Sequence, residues 1–185
     1  MKLSWTTGLL LPLIVATVGC NRPAFPERDG RVFLEGRGYP AEVVDAVVLR
    51  QPLQHDQIVR FSKCRSPDVR FLVGSNPTLK PEEIELFIDD SNDYARSGTA
   101  RNTSLTTAQM EKLFDDSFHT VYATLAGNSA VPTNMLMRLH KERNPGLLWF
   151  AMNPNCPPEI VEEINKSSDS LAKHWLQIMQ QRKKR

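Results

Sequence analysis

The sequence predicts an all-α fold in which about five helical repeats of 25 or 26 residues stack into a solenoid with a C-terminal capping helix. Three observations predict this fold. Four asparagines recur at intervals of 26, 26 and 25 residues: Asn76, Asn102, Asn128 and Asn153. The residue two positions before each asparagine is small: Gly74, Ala100, Ala126 and Ala151. The residue three positions after each is apolar: Leu79, Leu105, Val131 and Cys156.

The second helix of each repeat is predicted from two further apolar columns, eight and eleven residues after the asparagine. The first column holds Ile84, Met110, Leu136 and Val161, and the second holds Phe87, Leu113, Leu139 and Ile164. Positions three apart lie on one stripe of a helix, so this stripe is predicted to be buried. Pro81 and Pro158 favour helix starts at their own positions, and Thr106 with Gln109 has the spacing of a capping box.

The first helix of each repeat is shorter, and the sequence predicts it over 69–75, 121–127 and 147–152. The small residue that recurs in this helix allows two helices to approach closely. Pro77 and Pro154 directly follow two of the asparagines, which predicts that each asparagine is a turn residue whose side chain bonds nearby backbone. Before the short helices, the segments 66–68, 91–93 and 144–145 have the composition of N-caps.

Two stretches resemble the leucine-rich repeat variant family. They are residues 69–77, VRFLVGSNP, followed by Pro81 and Ile84, and residues 151–159, AMNPNCPPE. The similarity covers roughly positions 44 to 165, with an earlier repeat placed on Gln51 and Pro52. The resemblance implies a right-handed α-α superhelix related to HEAT-like arrays. It implies little about function, because such repeats carry unrelated surfaces.

Residues 1–19 have the features of an export signal, in which Lys2 precedes an uncharged and largely apolar stretch. The stretch is interrupted by threonines and a proline, which favours a signal over a membrane-spanning helix. Residues 17–20, TVGC, resemble the lipobox of bacterial lipoproteins. The resemblance implies lipidation of Cys20 and a membrane attachment through it, and Asn21 implies the outer membrane of a bacterial envelope, facing the periplasm. Ordinary signal cleavage that leaves a free cysteine is the alternative.

The remaining chain divides into three predicted parts. Residues 20–38 form the lipidated N-terminus and a flexible tether, residues 39–168 form the solenoid, and residues 169–185 form the capping helix with a basic tail. The capping helix is predicted to pack through the stripe of Leu171, Trp175, Ile178 and Met179.

Composition and motifs exclude several classes of function. A formal charge of +2 on 185 residues gives no support for binding nucleic acid. No cofactor and no metal are predicted, because the four histidines fall in different repeats and no metal-ligand spacing occurs. Cys64 and Cys156 are predicted to be too far apart for a disulfide.

Three features were candidates for a binding surface. The acidic residues at Asp89, Asp90 and Asp93 recur at Asp115 and Asp116, which predicts helix caps that also form an acidic strip able to attract a basic partner. Trp149 and Phe150 are predicted to fill the core. Gly98 and Thr99 are predicted to leave a hollow in the middle of the array.

These observations predict a non-enzymatic, lipid-anchored envelope protein that uses its helical-repeat surface to bind another protein. Scaffold, accessory and immunity-type lipoproteins all fit this class. An envelope-associated hydrolase with a site assembled between repeats is the alternative enzyme hypothesis, and a purely structural role is a third.

Overall fold

The structure is a computed structural model that describes residues 27–28, 31–34, 37–48 and 51–183. The predicted signal segment, the lipidation residue Cys20 and Asn21 lie outside these residues. The described part is predominantly helical, with 11 α-helices and three short strands. The all-α prediction is therefore confirmed at the level of fold class.

The strands come first and pair in antiparallel fashion in the order β1-β2-β3. They are β1 (Glu27–Arg28), β2 (Arg31–Leu34) and β3 (Arg37–Pro40). Most of this range belongs to the predicted flexible tether, residues 20–38, for which the sequence predicts no strands. Helix α1 (Ala41–Val48) follows β3 directly, and its Val43 and Val44 are buried in the common core together with Tyr39.

The other helices alternate between the first and the second helix of each repeat. The first helices are α3 (Pro67–Gly74), α5 (Asp93–Ala100), α7 (His119–Ala126) and α9 (Leu147–Ala151). The second helices are α2 (His55–Ser62), α4 (Pro81–Ile88), α6 (Thr107–Phe114), α8 (Thr133–Arg138), which continues into a π-helical turn (Leu139–Arg143), and α10 (Pro158–Lys166). The terminal helix is α11 (Ser170–Lys183).

Local sequence signals explain the starts of the second helices. Helices α4 and α10 begin at Pro81 and Pro158, where the missing proline N–H leaves no helical bond unmade. Helix α6 begins with a capping box: Thr106 Oγ1 accepts a hydrogen bond from Gln109 N, and Gln109 Oε1 accepts one from Thr106 N. These three predictions are confirmed.

The first helices pack directly on one another. Helix α5 lies between α3 and α7, and α9 contacts both α7 and α11. The small column makes this approach possible, since Gly74, Ala100, Ala126 and Ala151 are all buried at these contacts. The core of the described part is one cluster that runs from Tyr39 to Leu176. The described fold is thus all-helical and repeat-like apart from the three strands.

The buried face of α10 differs by one position from the prediction. Val161 was predicted to be buried, but Ile160 is buried instead, while Val161 is partly exposed. Ile160 is the third residue of its helix, and so are the buried Glu83, Gln109 and Met135 of the other second helices. The third position of these helices is polar in two repeats, so a search for recurring apolar residues did not identify it as buried.

Asn144 was predicted to be an N-cap, and this prediction is wrong. Asn144 adopts the left-handed conformation, with φ of 44°, and ends the π-helical turn by donating its backbone N–H to Leu139 O at 2.9 Å. Asparagine tolerates this conformation better than most residues. Gly146 then takes the position before α9, with φ of 98°.

The hollow predicted at Gly98 and Thr99 is absent, and the two residues lie at a very close helix contact. A Cβ atom built at Gly98 would lie 2.6 Å from Phe71 Cα and closer still to Phe71 O. Thr99 is also fully buried, with its hydroxyl against Gly74. Small residues here bring α3 and α5 together rather than leaving space. The core-filling role predicted for Phe150 is confirmed, because its side chain is fully buried.

Candidate functional site

The four repeating asparagines form a buried ladder along the described repeats. Each Oδ1 accepts a hydrogen bond from the backbone N–H two residues further on, at 2.8 to 3.0 Å. This bond closes the turn after each first helix. All four side chains are buried, and their amide groups need partners there.

The partners of the amide N–H groups come from the preceding repeat. Asn102 Nδ2 donates to Gly74 O at 2.9 Å and to Asn76 O at 2.8 Å. Asn128 and Asn153 repeat the same pair of bonds one and two repeats later, each at 2.8 Å. The ladder begins where Asn76 Nδ2 reaches Gln51 O at 3.5 Å, so Gln51 takes the equivalent position in the earlier repeat. Each asparagine therefore links its own turn to the turn before it.

A second set of contacts between repeats consists of two arginine–aspartate ion pairs. Arg70 Nε lies 2.6 Å from Asp90 Oδ2, and Arg96 Nε lies 2.6 Å from Asp116 Oδ2. Both pairs are bidentate, because the Nη2 atoms lie 3.0 Å from the second carboxylate oxygens. Each arginine also donates to a carbonyl of the preceding loop, namely Cys64 O and Asp90 O. Each guanidinium therefore connects its own helix to the loop before that helix and to the equivalent loop of the next repeat.

The predicted acidic strip is largely neutralised by these contacts. Asp90 and Asp116 are almost completely buried against their arginines. Asp89 is exposed but pairs with Lys112 at 2.5 Å. Asp90 and Asp116 also cap the turns before α5 and α7, because their Oδ1 atoms accept the backbone N–H groups of Asn92 and Phe118. The capping role is confirmed, and three of the five carboxylates of the predicted strip lie in ion pairs.

Burial and pairing act in opposite directions on these carboxyl groups. Burial raises the pKa of Asp116, but the hydrogen bonds from Arg96 and the Phe118 amide, with the positive charge of Arg96, outweigh it. The pKa of Asp116 therefore lies below its ordinary value. Arg70 and the Asn92 amide lower the pKa of Asp90 in the same way, against the effect of burial.

The two lowered pKa values predict an acid-side loss of stability. A carboxyl whose pKa is lower in the folded state stabilises the fold fully above its unfolded pKa of about 4 and loses this contribution as the pH falls through the folded value. Asp116→Asn should remove part of this dependence and destabilise the fold near neutral pH, since Arg96 is left buried without its carboxylate. Urea unfolding between about pH 7 and pH 2.5 measures both effects. Asp115→Asn is the control for the loss of one exposed charge, and an equal acid slope in Asp116→Asn and the unsubstituted chain would contradict the prediction.

An exposed aromatic side chain stands beside the second ion pair. Phe118 is 50% exposed, more than the exposed leucines Leu171 at 43% and Leu86 at 41%. The Arg96 guanidinium carbon lies 5.3 Å from the centre of its ring. Because Arg96 is held in place by its ion pair with Asp116, the ring rests on an ordered cation.

Phe118 also occupies a backbone position that normally requires a polar side chain. It is the N-cap of α7, with φ of −97° and ψ of 127°, and its side chain makes no cap bond. The equivalent N-cap of α5 is Asn92, with φ of −101° and ψ of 122°, whose side chain accepts from Ala95 N at 3.2 Å. The equivalent residue before α3 is the polar Ser66, although its side chain makes no cap bond either. An aromatic residue at this cap forfeits a helix-stabilising bond.

The surroundings of Phe118 contain further residue types that are common in binding hot spots. The Arg143 guanidinium carbon lies 4.3 Å from the centre of the Tyr122 ring, and Arg143 donates to Asp116 O. His119 meets Tyr122 edge-on, with ring centres 5.3 Å apart. We call the surface formed by Arg96, Asp116, Phe118, Tyr122 and Arg143 the Phe118 edge. The repeat pattern did not predict this surface, although Phe118 replaces the polar residues Ser66 and Asn92 at the position ten residues before the asparagine.

The other candidate residues form no catalytic or metal-binding cluster that the structure shows. Within the described residues, no group of three or more histidine, cysteine, aspartate or glutamate side chains could hold a metal ion. His140 Nε2 lies 2.8 Å from Glu163 of the following repeat, while its ring packs edge-on against the buried Phe150. Neither Cys64 nor Cys156 forms a disulfide. An open depression of about 440 Å³ lies beside Cys64 and Arg70.

No protein-family model, curated protein or solved structure matches this chain. Among the helices of the described part, none has the length and apolar character needed to cross a membrane.

Proposed function

We propose that this chain is a lipid-anchored helical-repeat protein that binds another protein through the Phe118 edge. The observation that carries the proposal is Phe118 itself, a half-exposed aromatic ring at an N-cap position that the polar residues Ser66 and Asn92 fill in the two preceding repeats. A surface residue that is unfavourable for local stability is expected where function requires that residue.

The contacts around Phe118 support its use as a binding anchor. Its ring lies against Arg96, whose position is held by Asp116 and by the Asp90 carbonyl. An anchor that is ordered before binding loses little conformational entropy when a partner covers it. Aromatic and arginine side chains also dominate the binding energy of protein interfaces. A partner with an apolar pocket for the ring fits this surface better than the basic partner suggested by the acidic residues.

The repeat arrangement supports an extended platform for such a partner. The asparagine ladder connects the repeats from Gln51 to Asn153, and the two arginine–aspartate pairs add links along one edge. We propose that these repeats form a right-handed α-α superhelix, in line with the resemblance to leucine-rich repeat variants. Such arrays present extended surfaces for recognition.

Two kinds of partner are consistent with an envelope location. A small toxin would make the protein an immunity-type lipoprotein, and a multi-protein secretion or assembly complex would make it an accessory subunit or scaffold. Co-purification from detergent-solubilised membranes distinguishes them, because the first gives one small stoichiometric partner and the second gives several.

Phe118→Asn tests the binding surface without weakening the fold. The new asparagine should cap α7 as Asn92 caps α5, which raises the free energy of unfolding by about 0.5–1 kcal/mol. Loss of the aromatic anchor should lower partner affinity by at least about 30-fold, or about 2 kcal/mol. Isothermal calorimetry with the co-purified partner measures the affinity, and thermal unfolding measures the stability.

The matched control is Leu86→Asn, since Leu86 is 41% exposed on helix α4, which contributes no residue to the Phe118 edge. It should leave partner affinity unchanged. Full affinity in a stably folded Phe118→Asn variant would reject the Phe118 edge as the binding surface.

Lipidation is tested separately with Cys20→Ser. The substitution removes the thiol that would carry the acyl chains, so incorporation of a fatty-acid analogue should be lost, and the protein should leave the membrane fraction. Partner binding in detergent should remain. Continued labelling of Cys20→Ser by the analogue would contradict the proposed anchor.

A further inference from the structure

The apolar arc of helix α11 is wider than the part that meets the core. Ala172 and Leu176 face the core, with exposures of 0% and 4%. Leu171 is 43% exposed, and Trp175, Ile178 and Met179 are only partly buried. These four residues are the stripe through which the capping helix was predicted to pack, and the prediction holds only in part, because Trp175 packs against the core cluster whereas Leu171 is exposed. Successive residues of a helix are rotated by about 100°, so Leu171, Trp175 and Ile178 lie on one side of α11. This side is next to the one that carries Ala172 and Leu176 and packs on α9.

The charge of this terminal segment is strongly one-sided. Residues 170–185 contain five basic residues and no acidic residue, namely Lys173, Arg182, Lys183, Lys184 and Arg185. Subtracting them from 23 basic and 21 acidic residues leaves 18 basic and 21 acidic residues in positions 1–169, so the rest of the chain is net acidic. The chain's small net charge conceals this separation.

We propose that α11 and the basic residues after it dock on the surface of an anionic lipid bilayer. A helix side with an exposed leucine and a partly exposed tryptophan and isoleucine, close to basic residues, has the chemistry of interfacial membrane binding. The apolar side chains enter the boundary between headgroups and acyl chains, and the basic residues contact the anionic headgroups. An acidic protein surface would not by itself account for the exposed apolar side, and an uncharged apolar partner would not account for the five basic residues.

This contact would set the orientation of the array. The short helices run from α3 near the N-terminal strands to α9, and α11 packs on α9 at the other end. If Cys20 carries a lipid as proposed, a membrane contact at α11 would be a second attachment to the bilayer, so that the repeats would be held close to it. The orientation rests on the proposed lipid anchor, whereas the α11 contact itself depends neither on the anchor nor on the Phe118 edge.

The test uses the purified full chain and sedimentation with two kinds of vesicle, one of phosphatidylcholine and one of equal parts phosphatidylcholine and phosphatidylglycerol. Replacing Arg182, Lys183, Lys184 and Arg185 with glutamine should lower the affinity for the anionic vesicles at least tenfold. Each basic residue near such a surface contributes about fivefold. Affinity for phosphatidylcholine vesicles should change little, and the apolar N-terminal segment is common to all variants. The control replaces the exposed Lys63, Arg65, Lys80 and Lys141 with glutamine, which removes the same charge elsewhere.

The apolar contribution is tested with Leu171→Asp against Leu86→Asp, because the two leucines are similarly exposed, at 43% and 41%. In Leu171→Asp the new carboxylate would stand in the first turn of α11, where a negative charge is compatible with the helix. Leu171→Asp should weaken binding to anionic vesicles at least about threefold, and Leu86→Asp should not. Equal losses in the tail variant and its charge control would overturn the proposal. So would a Leu171-dependent dimer in sedimentation equilibrium whose disruption leaves vesicle binding unchanged.

Discussion

Gly98→Ala is expected to lower the free energy of unfolding by roughly 3 kcal/mol. The new methyl group would lie 2.6 Å from Phe71 Cα and 2.8 Å from Phe71 C, so it would meet backbone that cannot rotate away. Helices α3 and α5 would have to separate, and their contact is the most extensive between helices in the described part. Urea unfolding followed by circular dichroism measures the loss.

Gly127→Ala is the matched control for this prediction. Gly127 lies just after α7, with φ of −79°, and a Cβ atom there would have its nearest neighbour at 3.5 Å, an ordinary contact distance. The control should therefore be neutral or slightly stabilising, because alanine restricts the unfolded chain. Equal unfolding midpoints for the two variants would show that α3 and α5 do not approach as closely as described.

Asn102→Ala is expected to cost roughly 3 to 5 kcal/mol by breaking the central step of the asparagine ladder. The change removes the donors to Gly74 O and Asn76 O and the acceptor for Ser104 N. Asn102 is fully buried, so water does not replace these bonds at the site without cost. Each orphaned buried group costs about 1–3 kcal/mol, and the three losses are not fully additive.

Two further variants show which property of Asn102 matters. Asn155→Ala removes an exposed amide that bonds Ser129 O at 2.9 Å, so it should cost less than about 1 kcal/mol. Asn102→Asp keeps the shape and the acceptor but places a carboxylate against two carbonyl oxygens. It should be at least as destabilising as alanine near neutral pH and should recover partly in acid, where a protonated carboxyl can donate again. A tolerated Asn102→Asp would mean that the turn, and not the link between repeats, is what the asparagine supports.

The helical repeat could be predicted because its signals are local. Pro81, Pro158 and the Thr106–Gln109 capping box determine helix starts within a few residues of chain, and all three are found where the sequence placed them. The small and apolar columns likewise follow from the period of a helix and the limited space between packed helices. The predicted burial was wrong where the residue type at a repeated position changes between repeats, as in α10, where Ile160 rather than Val161 is buried.

The candidate site was largely hidden from the sequence. Asp116 and Phe118 were visible as residue types, but the acidic residues suggested an exposed negative strip, whereas Arg96 lies 20 positions earlier and neutralises Asp116. Phe118 belongs to none of the recurring small or apolar positions of the repeat. Its significance depends on the N-cap geometry of α7 and on the exposure of its ring, neither of which a residue pattern contains.

By itself, the sequence determined which short segments become helices and which positions recur, because these depend on interactions between residues close together in the chain. The tertiary structure alone decided which carbonyls receive the asparagine amides, which charges are neutralised, and which side of α11 meets the core. Those outcomes depend on atoms that come from repeats 20 to 28 residues apart. A side chain's charge and apolar character are the same in every fold, but its exposure is set by the neighbours that packing brings to it.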